Sequence, residues 1–344
     1  GLPAIFGDTP EVKLLTSGAG LLILLMYFPG GLVQILYSAR DTLFRWLDRR
    51  APAAVPRDRP AALDSSTRVA AVDRPVPVDG AAALRVEGVS VRFGANRAVD
   101  DVSLAIAPRQ IVGLMGANGA GKTTLMNALG GFVPCEGRVW LGDHELSALA
   151  PAARARLGLG RAFQNAELFG DLTVRETVQV ALERTHRTSL VGTLVGWPGA
   201  AQVERRQRAE ADELIAFLGL GRYADALIGN LSTGTRRIAE LACLLALDAP
   251  VLCLDEPTAG VAQKETEAFG PLLQEIRSQF GITMLVIEHD MPLILGISDR
   301  VYCMEAGAII AAGTPDEVRN DPAVIASYLG TDKRAIQRSG TLAT

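Results

Sequence analysis

From residue 84 to residue 331 the chain alternates short apolar or β-branched runs with stretches in which apolar side chains recur every three or four positions. Unbroken apolar runs suit buried strands and the 3.6-residue period suits helices, so this alternation predicts an α/β domain. Strands are expected at 84–86, 110–115, 251–254, 283–287 and 300–305, and helices are expected to begin at Lys122, Glu204 and Thr235. The last of these carries Ile238, Leu241, Ala242 and Leu245 on one face.

The first eighty residues follow a different pattern. No charged residue lies between Lys13 and Arg40, and residues 21–28 are eight apolar side chains in succession. The run predicts a membrane-spanning helix; Pro29, Gly30 and Gly31 interrupt it, so a buried or peripheral helix is the alternative. Arg40, Arg45, Arg49 and Arg50 follow, and basic residues flanking a span mark its cytoplasmic side. A signal peptide fits poorly, because Glu11 precedes the run and no small-residue cleavage site follows. From 49 to 82 the prolines at 52, 56, 60, 75 and 77 leave no room for a regular helix, which predicts an extended linker rich in proline and alanine.

Composition narrows the function classes. With 344 residues the chain has room for one large or two ordinary domains, and 49% hydrophobic residues exclude disorder of the whole. A formal charge of −4 argues against a nucleic-acid partner. The basic run at 204–208 is read as a solvated helix face, since Glu210, Asp212 and Glu213 follow it. Cys135, Cys243, Cys253 and Cys303 show no C-x-x-C spacing, so a reducing compartment is expected. His144 and His186 lack partners at zinc-ligand spacing.

The chemistry concentrates in three places. Gly116-Ala-Asn118-Gly119-Ala-Gly121-Lys122-Thr123 fits G-x-x-x-x-G-K-[ST] between an apolar strand and a helical run that begins with Thr124. Its glycines let backbone N–H groups close around phosphates, Lys122 adds a cation near the β and γ phosphates, and Thr123 is expected to place its hydroxyl on Mg²⁺. The apolar strand 251–254 ends in Asp255 and Glu256, which suits a carboxylate holding Mg²⁺ beside one polarising the attacking water. His289 follows the strand 283–287, at the carboxyl edge where open α/β sheets bind ligands.

In this order the elements resemble the ATPase subunit of ABC transporters, over residues 84–329. The resemblance implies a P-loop NTPase fold with a helical subdomain, and ATP and Mg²⁺ as cofactors. Gln164, in Arg161-Ala-Phe-Gln164-Asn165, stands where the family has a glutamine that touches Mg²⁺ or the attacking water and relays to the membrane subunit. Leu231-Ser232-Thr-Gly234-Thr235 looks like the family signature, whose Ser and Gly contact the γ-phosphate held by the opposite subunit. Phe93 matches the aromatic that stacks on adenine, and His289 matches the switch histidine. Two positions depart from the pattern: Thr235 replaces the usual Gln, and Ala262 replaces an Asp or Asn that bonds across the subunit interface.

Within the family the chain is most similar to ATPases of branched-chain amino acid uptake. The likeness rests on 165–169, Leu172-Thr-Val-Arg-Glu-Thr177, the added segment 184–206, Glu288-His-Asp-Met291 and Ser327-Tyr-Leu-Gly330. Residues 1–48 resemble the last transmembrane segment of the partner permease, so the expected division is span, linker 49–82, ATPase domain 83–331 and tail 332–344. Opening on Gly1 with one candidate span, the chain is expected to be the C-terminal part of a permease–ATPase fusion. The resemblance also implies a head-to-tail ATPase dimer, permease subunits, a periplasmic or extracellular solute-binding protein, and a place at the inner membrane with the ATPase on the cytoplasmic side. Two other readings use the same fold: an ABC ATPase serving repair or translation, and a regulatory nucleotide-binding module with little turnover.

Overall fold

The computed structural model describes residues 82–163, 168–185, 198–261 and 263–329. The expected span, linker and tail, together with Gln164 and Ala262, lie outside the described residues. In chain order the first elements are β1 (Leu84–Phe93), β2 (Asn96–Ile106), β3 (Ile111–Gly116), α1 (Lys122–Gly130), β4 (Glu136–Leu141), β5 (His144–Glu145), α2 (Pro151–Leu157) and β6 (Leu159–Arg161). Next come the helices α3 (Val174–Leu182), α4 (Pro198–Phe217) and α5 (Thr233–Ala246). The chain then returns to the sheet through β7 (Val251–Asp255), α6 (Gln263–Phe280), β8 (Thr283–Ile287), α7 (Met291–Ile297), β9 (Arg300–Glu305) and β10 (Ala308–Gly313). It ends on α8 (Pro315–Arg319) and α9 (Pro322–Leu329).

Two sheets result. The order β2-β1-β4-β5 is antiparallel throughout, and the order β10-β9-β3-β8-β7-β6 is parallel except for β10. Every residue of β3, β7 and β8 is buried, which is why these strands read as unbroken apolar runs. Their two faces feed different cores: Val112, Leu114, Cys253, Leu285 and Ile287 pack with the antiparallel sheet and α1, while Leu252, Leu254, Met284 and Val286 pack with the helical side. In β1 the alternation is visible instead, with Leu84 and Val86 buried and Arg85 and Glu87 exposed.

Several element boundaries differ from the sequence reading. The strand expected at 84–86 runs on to Phe93, shifting register at residues 86–92 around Gly88. The helix expected at Glu204 begins at Pro198, because proline's fixed φ suits a first helical turn. The helix expected at Thr235 begins at Thr233, because the Ser232 side chain caps it by accepting from the Thr235 N–H. Strands β2, β4, β5, β6 and β10 were not expected from the sequence; β5 and β6 are only two and three residues long. Among the described residues no helix is long and apolar enough to cross a membrane. All four cysteines are free.

Candidate nucleotide site

Three strand ends meet at one edge of the parallel sheet. β3 runs into residues 116–121, β7 into Asp255 and Glu256, and β8 into Glu288 and His289. They border an open cleft of about 350 Å³ lined by Asn118, Gly119, Gly121, Lys122, Thr123, Thr124, Glu256 and His289, with Asn96, Arg97, Ala98, Ala306 and Gly307 along its other side. Gly121 is the N-cap of α1 and has no side chain to offer, so the first N–H groups of the helix remain available to an anion.

Two glycines are there for close approach. Gly116 has φ 147°, and a Cβ would sit 2.2 Å from the Met304 carbonyl oxygen; Gly121 has φ 100°, and a Cβ would sit 2.3 Å from the Ala98 carbonyl oxygen. Those neighbours are backbone atoms of β9 and β2 and cannot swing away. Lys122, 5% exposed, donates from Nζ to the carbonyls of Gly116 at 2.8 Å and Ala117 at 3.0 Å. Burial lowers its pKa, while Glu256 and Asp255 pull the other way. Its ammonium is thus held inside the loop by neutral acceptors that phosphate oxygens outbid.

The carboxylates take different roles. Asp255 is 1% exposed, and neither of its oxygens has a well-formed hydrogen bond. Burial pushes its pKa up, opposed by Arg161 and then by Lys122 and the nearby Thr123 hydroxyl. A buried, unsatisfied carboxylate is costly unless something occupies it. Hard oxygen donors from Asp255 and Thr123 fit Mg²⁺, which takes one or two protein ligands plus phosphate oxygens and water. Among the described residues no three His, Cys, Asp or Glu side chains are grouped to hold a metal by themselves.

Glu256 sits at φ 49°, a strained setting fixed by its own N–H bonding the Ile287 carbonyl at 3.0 Å. That turn aims its Oε1 to 2.7 Å from His289 Nε2. Glu288 locks the pair in place: its Oε1 accepts from the Thr258 N–H at 3.0 Å and hydroxyl at 2.6 Å, and its Oε2 accepts from the His289 N–H at 3.1 Å.

Not every expected residue reaches the cleft. Ser232 and Gly234 stand at the start of α5 and do not line it. Phe93 is 54% exposed at the end of β1 and is also outside the lining, whereas Asn96 to Ala98 just beyond it take part. Gln164 lies outside the described residues. The sequence reading missed the wall made by Ala98 and Gly307, which closes on the loop through Gly307 N–H to Ala120 O at 3.0 Å and Asp100 N–H to Gly307 O at 2.8 Å. It also assigned no role to Glu288, Arg161 or Tyr328. The Tyr328 hydroxyl is hydrogen-bonded to the backbone of Gly116, and burial pushes its pKa up to about 12.

Residues 99–259 match the family model described as ABC transporter, and residues 308–334 match that of the branched-chain amino acid ATP-binding cassette transporter. The chain is 40% identical over 248 residues to the high-affinity branched-chain amino acid transport ATP-binding protein LivG of Escherichia coli K12, covering 72% of this chain and 97% of LivG. The chain belongs to the ABC transporter ATP-binding proteins. The cassette is an ATPase of that family, as its resemblance implied. It is 38% identical to the corresponding protein BraF of Pseudomonas aeruginosa over the same shares of 72% and 97%. The solved ADP conformation of MJ1267, an ATP-binding cassette of an ABC transporter, superimposes with a TM-score of 0.61 at 29% identity, covering 72% of this chain and 99% of that one. The expected fusion to a permease finds no support in these matches.

Proposed function

We propose that this cassette hydrolyses ATP as one half of a head-to-tail pair and powers the import of branched-chain or related amino acids through membrane permease subunits, served by a solute-binding protein outside the inner membrane. The observation that carries the chemistry is the meeting of Lys122, Asp255, Glu256 and His289 at one sheet edge. The cargo is supported by the names of LivG and BraF and by the family match at 308–334.

In this reading the backbone N–H groups of 119–124 and the Lys122 ammonium bind the phosphates. Thr123 and Asp255, with Gln164, would hold Mg²⁺, which when bound offsets phosphate charge and orients the leaving group. The Glu256 carboxylate accepts the proton of the attacking water, and His289, 2.7 Å away, keeps it aimed at the γ-phosphate. Ser232 and Gly234 reach the γ-phosphate of the opposite subunit, and Phe93 offers its exposed ring to adenine. Closure on ATP and reopening after hydrolysis would drive the permease between access states.

The test is uptake of labelled leucine, isoleucine and valine by cells whose chromosomal copy carries Glu256→Gln. Loss of uptake supports the proposal, and unchanged uptake of all three removes the cargo assignment. Membrane attachment is tested separately: the whole chain should sediment with membranes and a chain beginning at Ala81 should not, and equal behaviour of the two would remove the span. A second reading, a regulatory module with little turnover, is favoured by Thr235, which is 4% exposed and keeps its hydroxyl 2.9 Å from that of Ser232. Steady-state phosphate release by the purified chain separates the two.

A further inference from the structure

We propose that Arg161 is the positioning residue for the magnesium carboxylate Asp255, and that its setting is braced from the signature helix α5 through Phe163. The inference rests on the reading of Asp255 as a magnesium ligand. Arg161 ends β6, whose neighbour in the sheet is β7, the strand that ends in Asp255. Its Nη2 stands 3.8 Å from Asp255 Oδ2, with the side chains 7% and 1% exposed.

That distance is informative. A direct hydrogen-bonded pair would use up lone pairs that a metal needs, and no counter-charge at all would leave the buried carboxylate poorly tolerated in its ionised form. At 3.8 Å the guanidinium supplies charge without itself bonding either oxygen, which leaves them to the neighbouring Thr123 hydroxyl and a metal. It is held there by other partners: Nη1 donates to the Met126 carbonyl at 2.8 Å, and Nη2 to Asn127 Oδ1 at 2.6 Å, both on α1. Its Cζ also lies 5.2 Å from the ring centroid of Phe132 and 4.9 Å from that of Phe163, and the two rings meet edge to face at 5.3 Å. Only a planar fork with several donors meets these demands together, so lysine is not an equivalent.

One side of this clamp belongs to α5. The Phe163 carbonyl accepts from Arg237 Nη1 at 2.7 Å, and its N–H points to Glu240 Oε1 at 3.4 Å. Arg237 and Glu240 are themselves paired at 2.9 Å, both buried, on the helix that Ser232 caps. A shift of α5 therefore moves Phe163, and with it one of the two faces that fix Arg161. Strand β6 places this clamp directly before Gln164, so the helix, the strand and the carboxylate share a single set of contacts.

The test measures binding of a fluorescent, non-hydrolysable ATP analogue to the full chain, with magnesium and with EDTA. In Arg161→Met the gain in affinity from magnesium should fall about tenfold, as for partners behind a metal ligand, while affinity in EDTA stays within about twofold. Arg161→Lys should recover part of the gain, and Glu240→Gln should lose part of it. An unchanged gain in Arg161→Met overturns the inference, and so does an equal loss with and without magnesium, the mark of a merely structural role. Should Arg161→Met fail to fold, Arg161→Lys and Phe132→Leu decide in its place: a reduced gain supports the inference, and wild-type gains in both overturn it. Asp255→Asn separates the two levels: if it abolishes the gain and Arg161→Met does not, this inference alone falls; if Asp255→Asn keeps the full gain, the magnesium reading falls and this inference with it.

Discussion

The sheet edge and the start of α5 present their functional residues in opposite ways. At the edge, β3, β7 and β8 are buried along their whole length, and most side chains beyond them already have partners within the chain: Lys122 on its loop's carbonyls, Glu256 on His289, Glu288 on Thr258. At α5, Ser232 is exposed, and its hydroxyl serves its own helix by accepting from the Thr235 N–H at 3.2 Å. The first arrangement is complete within one chain, because ladder hydrogen bonds and packing fix adjacent strand ends to within fractions of an ångström. The second is a capped helix end outside the lining of the cleft, and in the proposed function it meets a phosphate only on a second copy of the chain.

The sharpest break in this comparison comes from Lys122→Ala. It removes the cation of the self-contained half, so steady-state phosphate release should fall by about 10²-fold or more, and nucleotide affinity should fall with it. Retained binding and turnover would show that the loop is not the phosphate site. Next in size, Glu256→Gln should lower turnover by about 10² to 10⁴-fold while sparing binding. With Mg-ATP that variant should accumulate as a dimer on size-exclusion chromatography, and with ADP it should not. A variant that binds ATP yet stays monomeric would discard the composite site and keep the chemistry.

Ser232→Ala probes the other half. Loss of the cap should cost about 1 kcal/mol of stability, seen as a lower melting temperature without nucleotide. ADP affinity should be unchanged, because the cleft is untouched, while turnover falls. Equal losses in ADP binding and turnover would place Ser232 within the chain's own site. Smallest is Tyr328→Phe, which deletes the hydrogen bond to the Gly116 backbone at a cost of about 1 kcal/mol. A modest drop in melting temperature with ATP affinity within a few-fold is expected; an unchanged melting temperature would mean that α9 does not support the loop.

How much of this was legible in advance depended on whether the signal was local. The phosphate loop was legible because its glycines, lysine and threonine are consecutive and carry their function in the backbone they form. Asp255 and Glu256 were legible because a buried parallel strand is an apolar run and its end is where polarity returns. The match of His289 to a switch histidine is an expectation from resemblance, and what holds the residue in place did not come from sequence at all: Glu288 reaches back 30 residues to Thr258, and no spacing rule announces such a pair. Arg161 was equally silent, since it ends a three-residue strand too short to be read in advance, and an isolated arginine reads as surface. Its burial follows from Met126, Asn127 and Phe132, on and just past α1, closing on it together with Phe163 two residues along its own segment.

The sequence by itself determined the α/β class, the order of the nucleotide motifs and the family, because each depends on periodicity or on neighbours within a few residues. Tertiary structure alone decided which strand ends stand side by side, how Glu256 turns onto His289, and where the counter-charge to Asp255 comes from. It also decided that Ser232 looks outward. The physical reason is the same in every case: strand order in a sheet and the direction of a capped helix are set by the burial of whole faces against one another, and that is a sum over residues scattered along the chain.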